Sequence, residues 1–151
     1  MSLPTFDTAR DEILGLFKAS WDAETPAVNG GAVPRVEWQG VDAQTPPPVG
    51  APWARVTVRH SNTTVHTLAP AGSRRFTRTG LVTVQIFTPT IDGGGLSLAE
   101  KLATIARKAY EGRGTASGIW FRNARIQEIG MDPAGWYQMN VLVEFRYDER
   151  R

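Results

Sequence analysis

A chain of 151 residues is the size of one domain and long enough to bury one modest core. With 41% apolar residues it is not a disordered polymer, and a net charge of +2, from 17 basic and 15 acidic residues, argues against a protein that wraps nucleic acid with a basic stripe. Cysteine is absent, which excludes disulfide frameworks, thiolate metal sites and cysteine nucleophiles.

The opening MSLPTFDTARDEILGLF has neither a basic leader nor an unbroken apolar run, and no window approaches the roughly 20 apolar residues of a membrane span. The expectation is a soluble cytosolic domain, 1–151, without a membrane partner. Phe6, Ala9, Ile13, Leu16, Phe17 and Ser20 recur at helical spacing, which predicts a helix from Thr5 to Ser20 capped by Thr5. Thr25 to Ala32, with Pro26, Gly30 and Gly31, ends it. PRVEWQ (Pro34–Gln39) reads as a short strand and TPPPVGAP (Thr45–Pro52) as an extended loop, because proline donates no backbone hydrogen bond. WARVTVRH (Trp53–His60) alternates, with Ala54, Val56 and Val58 on one side. The run from Ser61 to Thr77 is weakly apolar, with NTTVHTL (Asn62–Leu68) a candidate strand and APAGSRR (Ala69–Arg75) a turn, and Ser61–Thr79 is expected to stay mobile until a partner orders it.

TRTGLVTVQIFTP (Thr77–Pro89) is the strongest strand: Val82, Val84 and Ile86 share one face, and Leu81 and Phe87 make the other partly apolar. IDGGG (Ile91–Gly95) reads as a flexible turn into a second helix, Leu98–Glu111, with Ser97 and Glu100 as a capping box and Gly112 and Gly114 at its end. Ile119–Ile129 and Trp136–Tyr147 are two further strands joined by a GMDPAG turn. The last strand places Tyr137, Met139, Val141, Val143, Phe145 and Tyr147 on one face and Gln138, Asn140, Leu142, Glu144 and Arg146 on the other. The order predicts an α+β fold: a mostly antiparallel sheet of about four to six strands with two helices packed on one face. The five tryptophans, at strand ends or at the end of the first helix, are expected mainly to complete the core.

Chemistry is sparse. His60 and His66, with Asp42, are the only candidates for a metal, and no third ligand has helpful spacing. The glycine run before the second helix lacks the Lys-Ser/Thr of a phosphate loop. No Gly-x-Ser-x-Gly elbow is present, and Asp148 and Glu149, adjacent near the end of the sequence, lack the separate shielded environments of an acid–base pair. These features point away from an enzyme and imply no catalytic residue, metal or cofactor. Arg74, Arg75 and Arg78 with Phe76 form a local charge run without neighbouring acids. It is either a solvated hairpin tip or a projecting arm for an acidic protein surface or DNA phosphates, and the near-neutral chain favours the protein.

Four segments in order, APWARVTVRH, GSRRFTRTGLVTVQIFTP, GGGLSLAEKLATIARKAYEG and GIWFRNARIQEIGMDPAGWYQMNVLVEFRYDE, resemble the tail terminator-like proteins of phages and prophages, related to the tail terminator of phage lambda. The similarity runs from Pro52 to Glu149. It implies an α+β structural protein that assembles into a homo-oligomeric ring, a hexamer in the family, at the head-proximal end of a tail tube. There it stops tube polymerisation and offers a docking surface to the head–tail connector. It also implies assembly in the host bacterial cytoplasm and residence in the virion tail. The partners implied are further copies of the chain, the tail tube protein and the connector, while DNA passes through the lumen without specific binding. A sliding duplex suits weak net charge better than a tight basic groove. On this reading Arg74, Arg75, Phe76 and Arg78 form the arm that contacts tube or connector, and Leu81, Phe87, Leu142 and Arg146 contribute to the ring interface. A head–tail joining or neck protein is the alternative within the class. A small nucleic-acid-binding module using Arg74–Arg78 is the alternative outside it.

Overall fold

The computed structural model describes residues 3–42, 45–47, 49–90 and 95–151. The first helix, α1 (Phe6–Glu24), starts where expected. Thr5 is extended, its side chain accepts from the Thr8 amide, and the Thr8 side chain accepts in return from the Thr5 amide, so two donors of the first turn are satisfied. The helix continues a turn beyond the expected Ser20, because Trp21 is core. Trp21 is 1% exposed, stacks on Phe17 and donates its indole N–H to the Pro34 carbonyl at 3.1 Å. Thr25–Ala27 then tightens into a 3-10 turn.

The sheet contains β1 (Arg35–Trp38), β2 (Trp53–Val65), β3 (Arg75–Pro89), β4 (Trp120–Met131) and β5 (Trp136–Arg150), in the order β1-β2-β3-β5-β4. Only β1 pairs in parallel; the other pairings are antiparallel. The second helix, α2 (Leu96–Lys108), packs on β3 and β5, while α1 packs on α2 and β2. The fold is therefore α+β with both helices on one face. The alternation in each strand fixes that face: Ala54, Val56, Val58, Val82, Val84, Ile86, Met139, Val141 and Val143 are all within 1% of complete burial. Burial of an aliphatic or aromatic side chain of this kind stabilises by about 1.5–3 kcal/mol. Tyr110, just beyond α2, crosses to α1 and donates to the Ile13 carbonyl at 2.9 Å, and its burial raises the phenol well above its ordinary range.

Two expectations are corrected. The second helix begins at Leu96 with Gly95 as its cap and no side-chain cap bond, so Ser97 and Glu100 do not form a capping box; Ser97 lies inside the first turn. The weakly apolar run after His60 is built into the sheet. Asn62–Val65 pairs with Phe76–Thr79, and that segment pairs in turn with β5 up to Arg150, so three strands project beyond the helices as an arm. The long ladder satisfies the backbone groups of these polar residues, which composition does not register. The strand continues through a bulge at Ser61, where the register shifts between His60 and Asn62. The expected turn at Ile91–Gly94 lies outside the described residues.

Candidate functional site

No helix or strand covers the face of the sheet opposite the helices among the described residues. At its β1 end the Thr45–Pro46 segment lies against it, accepting hydrogen bonds from the Arg35 guanidinium at 3.2 and 2.8 Å, and Trp53 is buried there. Register decides what it presents. On β1 the outward residues are Arg35 and Glu37, opposite Trp53 and Arg55. On β2 and β3 they are Trp53, Arg55, Thr57, Arg59, Arg75, Thr77, Thr79, Leu81, Thr83, Gln85 and Phe87. On β5 they are Gln138, Asn140, Leu142, Glu144, Arg146, Asp148 and Arg150, and on β4 Trp120, Arg122, Arg125 and Gln127. Eight of these are arginines (35, 55, 59, 75, 122, 125, 146 and 150) and three are carboxylates (37, 144 and 148), an excess of five positive charges on one face of a chain whose total is +2. The rest of the chain therefore carries a net charge of −3. The near-neutral total conceals a strongly polarised distribution.

Part of this face is internally braced. Arg55 donates twice to Glu37, at 3.0 and 3.1 Å, and lies over the Trp53 ring. Glu144 accepts from Asn123 at 2.6 Å and lies 3.7–3.8 Å from Arg125 and Arg122. Arg146 lies over the half-exposed Trp120 ring at 5.6 Å. Asp148 accepts from the Thr77 hydroxyl at 2.8 Å.

All four residues expected at a ring interface, Leu81, Phe87, Leu142 and Arg146, lie on this face, but they are not gathered into one patch. Leu81 pairs with Glu144 and Leu142 with Thr83 in the middle of the sheet. Phe87 stacks on Trp53 at 4.2 Å at the far end, and Arg146 lies over Trp120. The centre of a protein interface is depleted in charge, whereas here two half-buried leucines sit among arginines.

The arm divides the arginine run. Arg78 faces the helix side and donates to Glu149 at 2.7 Å and to the Thr63 hydroxyl at 2.9 Å; the ion pair is largely buried. The expectation that this run lacks compensating acids is therefore wrong for Arg78, whose acid comes from 71 residues away on β5. Arg74 and Arg75 have no carboxylate within salt-bridge distance among the described residues. Arg74 donates its side-chain N–H to the Ala69 carbonyl, and its backbone exchanges hydrogen bonds with Arg151 in both directions, while Arg75 lies opposite Arg150. The tip thus collects Arg74, Arg75, Arg150 and Arg151, a grouping that the separated sequence positions hide. Beside it is a groove of about 590 Å³ lined by Val65, Thr67, Leu68, Ala69, Pro70, Arg74 and Phe76, with Leu68 fully exposed.

At the base of the arm, His60 Nε2 and the Tyr147 hydroxyl are 2.7 Å apart, and Phe6 stacks on the imidazole at 4.1 Å. Burial, then the neighbouring Arg10 and Arg78 charges, hold the imidazole below its usual pKa, with Glu149 opposing. Burial and Glu149 push Tyr147 up to about 12. His66 is exposed six residues further on, so the structure does not bring the two histidines together. Among the described residues no group of three His, Asp or Glu side chains is arranged to hold a metal.

The sheet ends in two unlike edges. The β1 edge is four residues long and parallel. The β4 edge is twelve residues long, with register breaks at Asn123 and Ile129, and exposes Trp120, Ile129 and Met131 (74% exposed). No described helix is long and apolar enough to cross a membrane.

No family model matches the chain, and no curated protein matches it. Among solved structures, one that carries no functional description is similar at 17% identity, over 89% of this chain and 94% of that one, with a TM-score of 0.56. A chain from a structure described as the virion of a native gene transfer agent particle is 20% identical over 90% of this chain and 91% of that one, at a TM-score of 0.46, too low to carry an argument. The first likeness shows that this fold is shared with a protein of nearly the same extent.

Proposed function

We propose that this chain is a non-enzymatic structural protein of a phage-like tail, a terminator that forms a ring on the head-proximal end of the tube. The observation that carries the reading is the sheet with two different edges and one uncovered face. A head-to-tail ring requires two unlike, complementary surfaces on each copy, so that rotation from copy to copy closes. The short β1 edge and the long β4 edge with Trp120, Ile129 and Met131 supply such a pair, and a long bare edge is a liability for a solitary protein. The resemblance between Pro52 and Glu149 supports the same class. In the ring, the arm projects beyond the helices with an apolar groove and free arginines at its tip. That suits an acidic, partly apolar surface on the tube or connector.

Ring formation is tested by microscopy and mass measurement on the purified chain with Met131→Asp and Ile129→Asp. Rings for the wild-type chain and solitary subunits for the variants are expected; a wild-type chain that stays solitary at high concentration and on tube ends refutes the proposal. Tail length separates terminator from neck protein. Overlong tails on loss of the chain support a terminator, and normal-length tails lacking heads support a neck protein.

A further inference from the structure

We infer that the open face of the sheet is a track for the phosphate backbone of duplex DNA, contacted without reading sequence. It goes beyond the ring proposal, since the charge arrangement belongs to a single chain.

The face is long. The fifteen residues of β3 at about 3.3 Å each span about 50 Å, and five strands at about 4.8 Å spacing are about 19 Å across. Every cation on it is an arginine, the side chain whose planar fork suits phosphate oxygens. Between the arginines stand Thr57, Thr83, Gln85, Gln127, Gln138 and Asn140, the uncharged donors that commonly contact DNA backbone. An acidic protein surface is the competing occupant. It would demand an apolar, charge-depleted centre, and this centre holds two half-buried leucines. The apolar contacts that do suit a protein lie at the arm tip.

Duplex DNA carries one negative charge per about 1.7 Å of axis, so a 50 Å track passes about thirty phosphates, far more than eight arginines can neutralise. Four of these arginines are also held within the chain, Arg55 by Glu37, Arg122 and Arg125 by Glu144, and Arg35 by Thr45 and the Pro46 carbonyl. That leaves Arg59, Arg75, Arg146 and Arg150 without a hydrogen-bond or salt-bridge partner for the guanidinium among the described residues. The contact is therefore weak, salt-sensitive and free to shift along the duplex. Among the described residues no helix or ribbon projects from the face to enter a groove, so base identity is not sampled.

The test is fluorescence anisotropy of a labelled random-sequence duplex with the full chain, at salt from about 50 to about 200 mM. Binding that weakens with salt is expected. Arg59→Gln with Arg146→Gln should reduce the slope of log affinity against log salt by about two, whereas the matching lysine pair should keep it. Arg59→Gln with Arg122→Gln serves if the first pair does not fold, as judged by circular dichroism. Arg74→Gln with Arg151→Gln at the arm tip should leave the slope unchanged. No binding at about 50 mM salt, a slope lost only with the arm-tip pair, or displacement by polyglutamate as effective as by unlabelled duplex overturns the inference. Rings that ignore DNA refute the track and leave the ring; solitary subunits that bind DNA do the reverse.

Discussion

Gly80→Ala tests the packing where the arm joins the body. Glycine in a strand interior ordinarily costs stability, so replacement by alanine should gain about 0.5–1 kcal/mol wherever the backbone and space allow it. Gly80 does not allow it. A Cβ there would stand 2.2 Å from the Arg59 carbonyl oxygen, 2.4 Å from Phe145 Cζ and 2.7 Å from Phe145 Cε1. The first obstacle is backbone of the neighbouring strand, held in register beside the Ser61 bulge. The second is a ring 2% exposed, set edge-on to His60 at 5.2 Å and stacked with Tyr147 at 6.2 Å, so it has no room to retreat. Overpacking a filled core costs about 1–3 kcal/mol, and two rigid obstacles place this substitution near the top of that range. For a domain of this size, about 3 kcal/mol lowers the melting temperature by about 6–12 °C. The assay is thermal and urea denaturation followed by circular dichroism. In a Phe145→Leu background, where the ring is gone, the same substitution should cost less, because part of the clash has been removed. A Gly80→Ala protein as stable as the wild type would refute the reasoning.

The other predictions concern single contacts. Arg78→Ala should destabilise by about 2 kcal/mol, because it leaves the largely buried Glu149 carboxylate unpaired, whereas Arg74→Ala should stay within about 0.5 kcal/mol; urea titration of both checks the division of the run. Thr88→Val should cost about 1–2 kcal/mol, since the buried hydroxyl donates to the Gly95 carbonyl at 2.8 Å and holds the start of α2. His60 is held neutral in the fold below its ordinary value of about 6.5, so the unfolded chain binds the proton first as pH falls. Its contribution to stability is therefore intact above that value and is lost as pH drops from there toward the lowered folded value. His60→Gln should flatten this part of a stability–pH curve while leaving the more acidic, carboxylate part; an unchanged curve would show that the burial and the Arg10 and Arg78 charges do not act on this ring.

Much of the fold was legible because alternation and helical spacing report burial directly. The odd positions of β5 from Met139 onward, the Val82–Val84–Ile86 face and Ala9, Ile13, Phe17 and Ser20 of the α1 stripe are buried, while Leu16 and Tyr137 are partly buried and Phe6 is half exposed against His60. The errors came where local pattern and tertiary need diverged. Ser97 looks like a cap, but the helix begins earlier, at Leu96, with Gly95 as its cap. The arm is weakly apolar in sequence, yet the structure pairs its middle strand on both sides, with Asn62–Val65 and with β5. Trp53 is buried as expected of a strand-end tryptophan, but on the face away from the helices, against Phe87 and Trp136.

The sequence by itself determined the residue pattern of each element, the sidedness of each strand and the absence of thiol chemistry, because these depend on neighbours a few positions away. Only the tertiary structure decided which arginines share a face, since that depends on strand order and register between segments as distant as Arg35 and Arg150. A total charge of +2 has no direction; five excess positive charges on one uncovered sheet face do.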